Sequence, residues 1–221
     1  MIKCPMTKVK LDIISDPICP WCFIGKTELE AALEAVPDHP FEIEWHPFQL
    51  NPEMPEQGMD RRDYLELKFG GKDGALRAYG PIVERAEAMG LGIAFDAIKT
   101  TPNTIDAHRL IHWAGLEGLQ DAAVNALFAA YFQKGQDIGD THTLADIAED
   151  IGMDRAVVEK LLASDADRQE LRDRDAHSRK AGVSGVPTFI VGGQHAVSGA
   201  QPAELWTSVI KDIQQQMTAE E

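Results

Sequence analysis

The chain has 221 residues, 44% of them hydrophobic, and a formal net charge of -15. That length and apolar content support an ordinary globular core of one large or two small domains. The acidic balance argues against nucleic acid or an anionic membrane as partner, because both call for basic patches.

Val9 to Ser15 is an apolar, β-branched run and predicts a buried strand. Directly after it stand Cys19-Pro20-Trp21-Cys22, and from Pro20 a helical pattern runs to about Val36 with Leu29, Ala32, Leu33 and Val36 on one face. A Cys-x-x-Cys at a strand-to-helix junction is the form of a redox dithiol. The helix start presents unpaired N–H groups and its positive dipole end to the first sulfur, which favours thiolate. Pro20 suits the first helical position, and the spacing lets Cys22 reach Cys19. Trp21 can shape a substrate surface, although packing on the helix shoulder is its plainer role.

Pro37-Asp38-His39-Pro40 ends the helix, and Phe41 to Trp45 alternates apolar and polar as a second strand. A βαβ crossover makes the two strands parallel. After a Pro-rich loop over Asn51 to Gly58, helical periodicity continues to about residue 181. Helices are predicted at about 60–69, 73–89, 104–117, 120–133, 141–150, 154–163 and 165–181, punctuated by Gly90, Gly118, Gly135 and Gly152. Strand character returns in Pro187 to Val191 and His195 to Ser198, around the turn Gly192-Gly193-Gln194. Pro202 opens a last helix with Leu205, Trp206, Val209, Ile210 and Ile213 on one face. The order βαβ, helices, ββα predicts an α/β fold. Residues 1–55 and 182–221 form one discontinuous domain, and 56–181 an inserted all-helical domain.

The chain has only three cysteines, too few for a secreted disulfide scaffold. The N-terminus lacks the apolar stretch of about 7–15 residues found in a signal peptide, and no run approaches the roughly 18 apolar residues of a membrane span. The expectation is a cytoplasmic protein, where a reducing thiol pool makes a Cys-x-x-Cys catalytic rather than a permanent staple. Metal binding is not expected. Structural zinc needs four Cys or His ligands, and Cys4 is the only further cysteine. His108 and His112 stand four apart on a predicted helix, but Arg109 occupies the place of a zinc protease's Glu.

Asp16 to Lys26 resembles the active-site segment of DsbA-like oxidoreductases of the FrnE subgroup. Trp45 to Pro52, Pro102-Asn103-Thr104 with Ala107 to Leu110, and Ser184 to Phe189 are similar to the same subgroup, in the same order. The resemblance covers essentially the whole chain. It implies a thioredoxin fold with a helical insertion, and thiol–disulfide exchange with protein or small-thiol substrates. It assigns Cys19 as nucleophile, Cys22 as resolving thiol and Pro187 as a cis proline beside the dithiol, with Val186 offering its backbone to an extended substrate. It implies no resident cofactor, with glutathione a candidate co-substrate. Two departures stand out. Secreted members carry signal peptides. Many thioredoxin-like proteins also bury an acid six residues before the first cysteine, where this chain has Ile13, so proton exchange with Cys22 needs water or another group. Kappa-class glutathione transferases and hydroxychromene-carboxylate isomerases share the architecture but usually lack the second cysteine. Rival readings are therefore a glutathione-dependent isomerase or transferase on a small aromatic or polyketide-like molecule, and a non-enzymatic binding module with a redox-sensing dithiol.

Overall fold

In the computed structural model, which describes residues 8–219, Val9–Ser15 forms strand β1 at the heart of a four-stranded sheet. β1 pairs in parallel with β2, Phe41–Pro47, and antiparallel with β5, Thr188–Val191; β6, His195–Ser198, closes the order β2-β1-β5-β6. Ile13 lies opposite both Trp45 and Phe189. Leu11 and Ile13 are buried among these neighbours, as expected of a β-branched strand covered on both faces. Strands from the two ends of the chain thus make one sheet.

Helix α1, Pro20–Ala35, crosses from β1 to β2. Its Glu28 is buried, pairs with Arg85 and accepts the Ala203 N–H at 2.8 Å. A carboxylate there satisfies an orphan donor at the start of the last helix, α9, Ala203–Ala219. Trp206 and Ile210 fill the space between α9 and the sheet, with the Trp206 ring 4.7 Å from Phe189. Leu205, expected on the same face, is 38% exposed, because the buried stripe of α9 is narrower than the sequence pattern.

A two-stranded ribbon, β3 (Met59–Asp60) and β4 (Thr100–Thr101), precedes and follows the first two inserted helices, α2 (Arg61–Phe69) and α3 (Lys72–Ala88). Two-residue strands carry no periodicity, so the sequence did not announce them. Asp60 is not the first helical residue but the cap of α2, accepting the Arg62 and Asp63 N–H groups. Next come α4 (Ile105–Leu116), α5 (Gln120–Phe128), α6 (Thr141–Asp150), α7 (Arg155–Leu162) and α8 (Arg168–Lys180). Each overlaps its predicted span. The predicted helix 120–133 ends early, and a π-helical turn covers Ala129–Gln133. That wider turn buries Tyr131 and Phe132 together. Phe23 of α1 then stacks on Phe128 and Phe132, with ring centroids 5.3 and 5.5 Å away. This stack docks the dithiol helix onto the inserted helices. Among the described residues, no helix is long and apolar enough to cross a membrane.

Candidate active site

Cys19 caps α1 in extended conformation, and Pro20 is the first helical residue. The Cys19 carbonyl accepts the Cys22 and Phe23 N–H groups at 3.0 and 3.2 Å, so the first helical turn closes on the cap itself. Both thiols are free and both are buried, Cys19 at 4% and Cys22 at 1% exposure. Both thiols are thus enclosed, Cys22 somewhat more than Cys19. Cys4 lies outside the described residues.

Burial pushes the Cys22 thiol well above its ordinary value, and the adjacent Cys19 adds to the rise. The Ser15 hydroxyl and the Asp16 N–H donate to the Cys22 sulfur and oppose that rise. The Cys19 thiol donates to the Val186 carbonyl, with sulfur and oxygen 3.6 Å apart. Val186–Pro187 is a cis peptide bond. Pro187 packs on α1 at Gly25, where a Cβ would stand 3.1 Å from the Pro187 ring and 3.3 Å from the Ala200 backbone. Glycine at 25 is what lets the loop approach the helix this closely. Cys19, Cys22, Val186 and Pro187 thus converge, while Trp21 is half-buried against the core and Pro20 is buried.

The two histidines do not form a metal pair. His108 is buried and its Nε2 donates to the Phe48 carbonyl at 3.2 Å. The His112 Nδ1 accepts from Arg174. Asp12, Glu44 and His46 do cluster, but protein cations already balance them: Lys10 lies 3.0 Å from Asp12 and 2.8 Å from Glu44, and Arg174 donates to His46 at 3.2 Å.

Two buried charged residues escaped sequence reading. Asp16 is completely buried beside Cys19, and its backbone carbonyl accepts the Cys19 N–H at 2.9 Å. Arg61, at the start of α2, is buried with hydroxyl partners only among the described residues: Tyr79 at 2.7 Å, Tyr131 at 3.1 Å and Thr101 at 3.4 Å. Arg61, Leu76, Tyr79, Val83 and Phe95 line a groove of about 670 Å³. Burial raises the Tyr79 hydroxyl above its ordinary value. Neither residue carries a periodic signal, since a charged side chain becomes informative only once the fold buries it.

Comparison with known proteins agrees with this geometry. The uncharacterized protein YwbO of Bacillus subtilis (strain 168) is 30% identical over 211 residues, spanning 93% of this chain and 98% of that one. The crystal structure of a probable DsbA oxidoreductase, SCO1869 of Streptomyces coelicolor, superposes with a TM-score of 0.82 at 29% identity, covering 96% of this chain and 91% of that one. The cytosolic disulfide reductase DsbM of Pseudomonas aeruginosa, solved with glutathione, shares the fold at a TM-score of 0.67 and 18% identity, over 93% of this chain and 99% of that one. The family model of the DsbA-like thioredoxin domain matches residues 10–211, and the chain belongs to that family.

Proposed function

We propose that the chain is a cytoplasmic thiol–disulfide oxidoreductase of the FrnE-like kind, exchanging a Cys19–Cys22 disulfide with small thiols, glutathione among them, or with protein thiols. In this reading residues 1–55 and 182–221 form the thioredoxin-like unit and 56–181 the helical unit over it. The observation that carries the proposal is the pair of free thiols at the start of α1, one of them held against the Val186 carbonyl. In the reducing direction the Cys19 thiolate attacks a substrate disulfide. A mixed disulfide forms at Cys19 and one substrate thiolate leaves. Cys22 then loses its proton and attacks the Cys19 sulfur, closing the protein disulfide and releasing the second thiolate. The oxidising direction runs the same steps in reverse. The Val186 backbone, Pro20 and Trp21 border the approach to Cys19.

Arg61 supports an anionic thiol. Its guanidinium is buried against neutral hydroxyls, and a substrate carboxylate in the groove would supply the missing counter-charge. The test is turnover of glutathione disulfide beside an uncharged disulfide such as 2-hydroxyethyl disulfide, with insulin as a protein substrate. Arg61→Met should raise KM for glutathione disulfide about 10- to 100-fold, the value of a charge-assisted hydrogen bond, and leave the uncharged disulfide almost unaffected. Equal losses on both substrates would remove the anionic site. Absence of all disulfide turnover in the unaltered protein would remove the exchange reading and favour a binding module.

A further inference from the structure

Asp16 takes no part in the exchange steps above, yet its backbone contacts both cysteines and its carboxyl is buried on the same turn. Its carboxyl is 0% exposed. It accepts the Leu50 N–H at 2.7 Å and the Ile18 N–H at 3.3 Å, and the Thr104 hydroxyl donates to it. Its backbone carbonyl takes the Cys19 N–H, and its backbone N–H donates to the Cys22 sulfur. Segments 16–26, 45–52 and 102–110, far apart in sequence, meet at this one carboxyl.

The surrounding groups leave its charge without a cation. His108, on α4, stands 3.9 Å away, but burial pushes its ring down to about 4, so it is neutral near pH 7. Asp175, on α8, adds a like charge, partly balanced by its own partner Arg179. Arg174, on the same helix, is engaged with His46, His112 and Glu44. Tyr131, on the π-helical turn, is neutral. Burial first, and Asp175 in addition, push the Asp16 carboxyl up to about 7, although its hydrogen-bond donors oppose the rise.

We propose that Asp16 is a positioning residue for the dithiol and that its proton is linked to the redox state of Cys19 and Cys22. The inference rests on the exchange function proposed above. A carboxylate and a thiolate confined in one water-poor region repel each other. When the disulfide is reduced and the Cys19 thiolate forms, Asp16 therefore binds a proton more tightly. Two glutathione thiols supply two electrons and two protons, and their sulfurs join as glutathione disulfide. One proton stays on Cys22 and the other on Asp16, while Cys19 carries the negative charge that Asp16 gave up. Oxidation reverses each transfer.

The experiment equilibrates the full chain and its Asp16→Asn variant with glutathione redox buffers from pH 5 to 9. It reads the ratio of the two equilibrium constants. At low pH Asp16 is neutral in both redox states, so the two proteins differ by a fixed factor. Through neutral pH the carboxylate opposes the thiolate, and the unaltered disulfide should become harder to reduce than the variant's by about a further tenfold, equivalent to a one-unit difference in the Asp16 pKa between redox states. A purely structural role would give a ratio that does not change with pH, and that result would overturn the proposal. Failure of the unaltered protein to exchange with glutathione at any pH would instead overturn the underlying function. Should Asp16→Asn not fold, carbon-13 titration of the Asp16 carboxyl in the unaltered protein decides: a higher midpoint in the reduced form supports the linkage, and equal midpoints end it.

Discussion

Cys19→Ser should abolish the proposed disulfide exchange, a fall of at least about a thousandfold, whereas Cys22→Ser should stop the reaction one step later with substrate bound covalently at Cys19. The asymmetry follows from position. Cys19 caps α1, so its sulfur stands at the start of the helix beside the Val186 carbonyl. Cys22 is the more deeply buried sulfur and is held as a thiol well above its ordinary value. In the proposed exchange, removing Cys19 takes away the atom that bonds to substrate. Removing Cys22 takes away only the group that displaces it. Mass spectrometry of each variant after mixing with glutathione disulfide separates the outcomes: Cys22→Ser should gain one glutathione, mapped to Cys19, and Cys19→Ser none. A stable adduct on Cys22 in Cys19→Ser, with turnover retained, would reverse the assignment.

The largest loss of stability should come from a residue remote from the sulfurs. Arg109 is fully buried in α4 and donates to the carbonyls of Ala166 at 2.7 Å, Leu161 at 2.6 Å and Ser164 at 2.8 Å. It also pairs with Asp106 at 2.8 Å and lies over the Trp113 ring at 4.8 Å. A single guanidinium therefore ties the turn between α7 and α8 to α4. Arg109→Met keeps the apolar stem but strands those carbonyls and leaves Asp106 with Arg168 as its remaining cation. Breaking a buried, multiply bonded charge of this kind costs about 3–5 kcal/mol, or about 10 °C in Tm for a chain of this size. A thermal melt checks it, and a loss below about 1 kcal/mol would mean that water replaces the guanidinium.

What the sequence made legible, and what it hid, divides along physical lines. β1 was readable as an apolar, β-branched run, β2 by its alternation and α1 by its one-faced period of 3.6, while β5 and β6 stood out as short runs around the Gly192-Gly193 turn. Cys19 and Cys22 were readable because their spacing and their strand-to-helix context carry the chemistry together. His108, His112 and Arg109 presented a metal-like spacing whose meaning lies in other contacts: a carbonyl for His108, Arg174 for His112, and a loop's worth of carbonyls for Arg109. Asp16 and Arg61 were invisible. Asp16 reads as an ordinary turn residue until Leu50 and Thr104 close over it. Arg61 reads as a solvated helix residue until Tyr79 and Tyr131 enclose it. The π-helical turn was hidden too, since a one-residue change of pitch leaves no mark in an apolar pattern already dense with aromatics.

Gly25 gives the site a fixed gauge. Where loop and helix meet through side chains, their separation can drift as rotamers change and neighbours are substituted. At Gly25 the Pro187 ring and the Ala200 backbone rest almost directly on the backbone of α1, with no side chain between them to lengthen or shorten. This close contact seats the loop that carries the Val186 carbonyl beside the Cys19 sulfur. A side chain at residue 25 would meet the Pro187 ring and the Ala200 backbone before anything else, so a substitution there displaces the loop beside the dithiol without touching either sulfur.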